Sequence, residues 1–258
     1  MVLNFSKPIL IFFSLALLIS ACQQKNNEKH VEAKGEQSKE EISENADWIN
    51  IDTATSVLTW IGSKPTGQHN GIIPLSEGKI AVLNNELVGG NFTINIQELI
   101  VMDMLQEPDR NEKLRDHLLS EDFFMTDSFP SASFEITSII PYDSALLPAD
   151  QDQFHSDFKP EKLRVFMVKN PTHFISGNLT IKGITKNITY PAEIKVTPQM
   201  IRAEAKFNID RTDWNITYSN EASVIDKAKD KFIYNTVNVG VYLEALWPEN
   251  KADTTSVE

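Results

Sequence analysis

The stretch Arg202-Ala203-Glu204-Ala205-Lys206-Phe207-Asn208-Ile209 sets an apolar residue at every second position. Successive side chains of a strand point to opposite faces, so this period of two describes a half-buried strand with one wet face. The same alternation recurs on both sides of it. Phe92, Ile94 and Ile96 alternate with Asn91, Thr93 and Asn95, and Leu179 and Ile181 with Asn178, Thr180 and Lys182. Val237, Val239, Val241, Leu243 and Ala245 alternate with Asn238, Gly240, Tyr242 and Glu244. Strands are expected near 56–62, 71–83, 86–97, 131–140, 174–183, 187–197, 201–210 and 235–246. Asn84-Asn85 and Lys182-Gly183 mark hairpin turns, and Pro198 falls in another. Eight antiparallel strands with tight connections close into an up-and-down barrel without a free edge, wide enough to hold one small ligand. The expected fold is therefore all-β with short helices: an eight-stranded antiparallel β-barrel.

Two segments break the pattern with helical spacing. Asp109 to Leu119 places Leu114 and Leu118 four residues apart among charged neighbours, as a short amphipathic helix lying on the barrel does. Glu221 to Phe232 is a weaker helical candidate. Tyr142 to Thr172 is a long stretch punctuated by Pro148, Pro160 and Pro171. Connections of that length are usually lids or disordered insertions, and disorder is expected for much of Asp143 to Lys159.

The start of the chain is a different material. Lys7 precedes the apolar run Ile9 to Ile19, too short to span a bilayer but suited to a secretory signal. Leu18-Ile19-Ser20-Ala21-Cys22 follows as a lipobox, so residues 1–21 are expected to be cleaved and Cys22 to be the lipid attachment site. Cys22 is the only cysteine, which excludes an internal disulfide and any multi-cysteine metal site. Residues 22–46 are expected to form a lipidated, disordered tether, because Gln23 to Asn45 has no aromatic residue and almost no aliphatic one. Residues 47–248 make the barrel domain, with 141–172 as its insertion, and 249–258 a disordered tail. Gln23 is not the aspartate that retains many lipoproteins at the inner membrane, so in a two-membrane cell the outer one is expected.

Charge excludes some partners. The chain carries −12, and Lys7 is the only charged residue among 1–21, so the exported part carries −13. Such a surface opposes nucleic acid and docking on anionic headgroups, which leaves acyl chains on Cys22 as the membrane attachment.

Catalytic residues are not assigned. There is no G-x-S-x-G, H-E-x-x-H, phosphate-binding or dinucleotide-binding signature, and His30, His69, His117, His155 and His173 lack metal-pair spacing. His117 reads as a structural histidine packing the helix on the barrel, and Asp210-Arg211 with Asp213 as an ion-pair or turn-capping network. Trp60, Phe92, Phe123, Phe124, Phe134, Phe207 and Trp214 lie in or beside strands. They fit an ordinary core, and they equally fit the lining of an apolar cavity. Composition does not separate a filled barrel from a hollow one.

Several ordered motifs carry a family resemblance. Thr59-Trp60-Ile61-Gly62-Ser63-Lys64 is followed by His69-Asn70-Gly71, then by Gly89-Gly90-Asn91-Phe92-Thr93-Ile94. Leu114 to Phe124 continues to Phe129-Pro130-Ser131-Ala132-Ser133-Phe134. Gly177-Asn178-Leu179-Thr180-Ile181-Lys182-Gly183-Ile184-Thr185-Lys186 and Phe207-Asn208-Ile209-Asp210-Arg211-Thr212 complete the series. From about Thr53 to Ala245 the chain resembles the YceI-like lipid/polyisoprenoid-binding domain. The resemblance implies a lipocalin-like, eight-stranded antiparallel barrel with a long apolar tunnel, an isoprenoid-type ligand, a place in the periplasm or cell envelope, frequent homodimers and no enzymatic role. Two departures stand out: the long segment Tyr142 to Thr172, and a start of the form W-x-G-x-K…H.

On this reading the cavity residues are Trp60, Phe92, Ile94, Phe123, Phe124, Phe134, Leu179, Ile181, Phe207, Val239 and Val241, and the ligand is an isoprenoid or fatty lipid. No other cofactor and no metal are expected. A filled-barrel scaffold is the alternative, and a lipid-acting enzyme a more distant one. The anchor gives a direct test. Cys22→Ser should leave the precursor uncleaved and free of acyl label, and incorporation of labelled fatty acid into the mutant would refute the assignment.

Overall fold

In the computed structural model, residues 31–147, 167–222 and 231–248 are described. Among these described residues ten strands form in chain order: β1 Asp47–Asn50, β2 Val57–Lys64, β3 Gly67–Leu83, β4 Glu86–Ile94, β5 Ile100–Val101, β6 Ala132–Pro141, β7 His173–Ile181, β8 Ile184–Val196, β9 Met200–Asp210 and β10 Thr236–Leu246. All eight expected strands are present. Neighbours pair antiparallel in the order β3-β2-β10-β9-β8-β7-β6-β4, and β4 pairs back onto β3, so the sheet closes on itself. The long β3 closes it by pairing with β2 through its first half and with β4 through its second. β1 and β5 add short pairings to β3. The turns follow the sequence: Asn84 and Asn85 both take positive φ, as do Lys182 and Gly183, the requirement of two-residue hairpins that match strand twist. The expected first helix is α1, Pro108–Leu119, with Pro108 in its first turn. Most of the second candidate helix, residues 148–166 of the insertion, Cys22 and the tail 249–258 lie outside the described residues.

The barrel has a seam. β8 and β9 pair only from Ala192–Ala205 to Val196–Ile201, the half nearest their own hairpin. Odd-numbered β8 residues direct their backbone groups toward β9, as Asn187 does toward Lys34, so Pro191 offers no N–H where the ladder would continue. The N-terminal segment occupies this gap. Val31 N–H donates to the Asn208 carbonyl at 2.8 Å, and Lys34 and Asn187 exchange bonds of 2.8 and 3.0 Å. The segment then crosses β7 and β6. Gln37 and the Asn178 side chain bond reciprocally at 3.1 and 2.8 Å, and Glu40 N–H reaches the Thr137 carbonyl at 2.9 Å. Beneath it the Asn187 amide bonds Asn178 and Thr137, both at 3.0 Å, so these outward polar groups are buried yet satisfied.

The expected free tether over 22–46 is therefore corrected for residues 31–46, which bind the barrel wall. Composition pointed to disorder because the segment has little apolar area of its own. The missing term was the row of unpaired backbone and asparagine groups that the barrel presents to it. Of its apolar side chains, Val31 and Ala33 pack against the core, and Ile42 lies over Gly89 of β4. Deleting residues 31–41 should cost about 2–4 kcal/mol, lowering Tm by roughly 5–15 °C. A thermal melt unchanged by that deletion would mean the segment is a passive linker.

Candidate functional site

Side-chain size divides the barrel interior into a hollow half and a filled half. At the level where β8 and β9 part, Tyr190 stacks on Phe207 with ring centroids 4.2 Å apart and planes 11° from parallel. Phe134 lies 5.7 Å from Tyr190, and Phe92 lies 5.3 Å from Phe134, completing a band of four rings across the lumen. Two glycines seat this band. A Cβ at Gly177 would collide with the Phe134 ring, and one at Gly78 with the Cβ of Phe92. Below the band, side chains such as Ile80, Ile136, Ile175, Ile201 and Leu243 leave a void of only about 20 Å³.

Above the band lies an apolar cavity of about 280 Å³. Its walls are Leu58 and Trp60 from β2, Ile94 from β4, Leu179 and Ile181 from β7, Ile209 from β9, and Val237 and Val239 from β10. Leu114 and Leu118 of α1 face it, with Phe123 and Phe124 from the turn that follows. Trp214 is fully buried, and its indole N–H donates to the Leu179 carbonyl at 3.0 Å. The inner face of β10 records the division directly. Val237 and Val239 are half-buried because they border open space, whereas Val241, Leu243 and Ala245 are buried.

Of the residues expected to line the cavity, Trp60, Ile94, Phe123, Phe124, Leu179, Ile181 and Val239 do so. Phe92, Phe134, Phe207 and Val241 do not. The first three form the aromatic floor, and Val241 lies one inward position below Val239, in the filled half. Alternation places all of them inside the barrel, but a period of two says nothing about height along the axis. The fourth ring, Tyr190, was not singled out from sequence. It sits in the unpaired part of β8, where Asn187 and Ile188 are both buried and simple alternation fails.

Polar groups gather at the outer end of the cavity. Lys64 and His69 border it there from the β2–β3 hairpin, His117 from α1 and Arg211 from just beyond β9. His69 Nδ1 lies 2.6 Å from Asp103, whose other carboxylate oxygen accepts the Asn70 N–H. His117 Nε2 lies 2.9 Å from Asp122, and its ring meets Phe123 and Tyr218 edge-on, a packing role in keeping with its sequence context. Arg211 is 3% exposed and donates to the carbonyls of Tyr234, Ile216, Tyr218 and Ile233 at 2.6–3.1 Å. Its burial lowers the guanidinium pKa to about 10, so the group stays cationic at neutral pH. Asp210 caps the turn by accepting from Thr212. The network here is thus a turn cap plus a carbonyl cage, with no direct ion pair from Arg211 among the described residues. The Lys64 ammonium makes no hydrogen bond or ion pair among them. They also contain no cluster of His, Cys, Asp and Glu that could hold a metal.

With this geometry the comparisons are informative. Residues 49–245 match the model of the YceI-like domain, and the chain belongs to that family. Among solved structures, BcnA from Burkholderia cenocepacia aligns at 15% identity and a TM-score of 0.53, covering 76% of this chain and 99% of its own. A Saccharophagus degradans protein described as a polyisoprenoid binding domain implicated in plant cell wall breakdown aligns at 17% identity and 0.49, covering 79% and 100%. The YceI protein of Campylobacter jejuni aligns at 18% and 0.40, covering 83% and 92%. At such identities the BcnA match speaks for the fold alone. Among curated proteins there is no match.

The floor is testable through its one ionisable ring. Burial pushes the Tyr190 phenol well above its ordinary pKa of 10. A raised folded-state pKa means stability present below the unfolded value and lost as pH rises beyond it. Stability should therefore fall above pH 10, and Tyr190→Phe should flatten that alkaline limb. Equal alkaline slopes in the two proteins would show that Tyr190 ionises freely and is not sealed in the floor.

Proposed function

We propose that the chain is an exported lipoprotein, anchored through Cys22, whose barrel holds the tail of an amphiphilic lipid in its hollow half. The observation that carries this reading is the separation of polarity along the cavity. Apolar side chains form most of its walls, the band of four rings lies beneath it, and Lys64, His69, His117 and Arg211 stand at its outer end. A lipid tail would enter first and leave its polar end at the rim. The name of the Saccharophagus degradans protein, a polyisoprenoid binding domain, supports an apolar ligand for the family.

Cavity size argues for an occupant. Left empty, an apolar space of about 280 Å³ forgoes roughly 7 kcal/mol at about 24 cal/mol per Å³. That is comparable with the whole stability of an ordinary domain, roughly 5–15 kcal/mol. A filled scaffold accounts for the lower half of the barrel and leaves the upper half unexplained. The envelope, with the outer membrane as the attachment site, is part of this proposal, and so is homodimer formation.

Ile181 and Val239 face the cavity from opposite strands, so lysine at either would bury a charge with no carboxylate beside it. Ile181→Lys should abolish binding of a fatty or prenyl probe, or weaken it at least a hundredfold. Circular dichroism and the melting curve establish that the variant is folded. Unchanged affinity in a folded variant, or failure of the wild type to bind any apolar chain, would refute the lipid-holding function.

A further inference from the structure

The aromatic floor has a consequence for ligand length, and it is opposed to the long tunnel that the family resemblance implies. An apolar protein cavity of about 150 Å³ accommodates benzene, with six heavy atoms. On that scale the space of about 280 Å³ above the floor takes on the order of eleven. Depth agrees with volume. Gly177, which seats Phe134, is four residues along β7 from Ile181 at the outer end. At about 3.3 Å per residue this is roughly 13 Å, close to an extended chain of about ten carbons.

The floor is built into the fold. Phe134 lies flat over Gly177, Phe92 sits against Gly78, and Tyr190 and Phe207 are in face-to-face contact. The space beneath amounts to only about 20 Å³, so no ring can swing down to open a path into the lower barrel.

We propose that this barrel is a short-chain site: it takes a medium-chain amphiphile with an apolar tail of about ten to twelve carbons, such as a medium-chain acyl or two-isoprene-unit group. The polar end stands at the rim, where Lys64 is the cation without a partner among the described residues. The Phe92–Phe134–Tyr190–Phe207 band is the length-determining element. The proposal rests on the lipid-holding function and narrows it.

A chain-length series separates the two. Saturated fatty acids from six to eighteen carbons, and a long polyprenyl alcohol, are titrated against delipidated mature protein carrying anilinonaphthalene sulfonate as the displaceable probe. Affinity should rise about fourfold per methylene while carbons are being buried, then level off or fall beyond about twelve. The polyprenyl alcohol should bind no better than the twelve-carbon acid. In Phe134→Ala, checked for folding by circular dichroism, the upper and lower spaces join and the break should move several carbons longer. Phe134→Leu serves the same purpose with a smaller shift if the alanine variant does not fold.

A wild-type series that climbs through eighteen carbons without a break would overturn the short-chain proposal while leaving lipid binding intact. So would a break that stays put in a folded Phe134 variant. If no chain of any length displaces the probe, the lipid-holding function itself falls, and the length limit with it.

Discussion

The stack of Tyr190 on Phe207 is the contact on which the interior depends. It forms at the height where β8 and β9 stop pairing, between the strand that carries Pro191 and the strand that continues to Arg211 and Trp214. The two facing strands are no longer joined there by backbone bonds, and ring contact replaces them. Below the stack the barrel is packed like any protein interior. Above it the inward residues no longer meet across the lumen, and the cavity begins.

Opening the wall at that height creates a second need. The backbone groups of β8 and β9 that no longer face each other must be satisfied, because buried orphan donors and acceptors each cost about 1–3 kcal/mol. The 31–41 segment meets it by bonding Asn208 of β9 and Asn187 of β8 on the outside, and it runs on to Asn178 of β7 and Thr137 of β6. The chain just after the proposed anchor is therefore part of the barrel wall. Eight residues, and not the two dozen of the expected tether, separate Val31 from Cys22. If Cys22 is acylated, that holds the domain within roughly 30 Å of the membrane surface.

Much of this architecture was legible in the sequence, for physical reasons that also mark where legibility ends. Alternation located all eight barrel strands, because a closed antiparallel sheet obliges every strand to show one apolar face. Asn84-Asn85 and Lys182-Gly183 announced their turns, because few residues tolerate positive φ. Seven of eleven expected cavity residues line the cavity. Phe92, Phe134, Phe207 and Val241 fell on the other side of the division, since height along the barrel follows from register and stagger, which no single strand encodes. Residues 31–46 looked disordered because their partners are polar and distant in sequence. Tyr190 escaped notice because strap and seam erase the period of two around it.

The most direct measurement is a crystal structure of the mature protein purified, without delipidation, from its own host. Elongated density bordered by Trp60, Ile181 and Val239, with its polar end near Lys64 and its tail ending on the Tyr190–Phe207 stack, is the predicted result. A cavity holding only ordered water would contradict the account, and so would a chain threading past the four rings into the lower barrel.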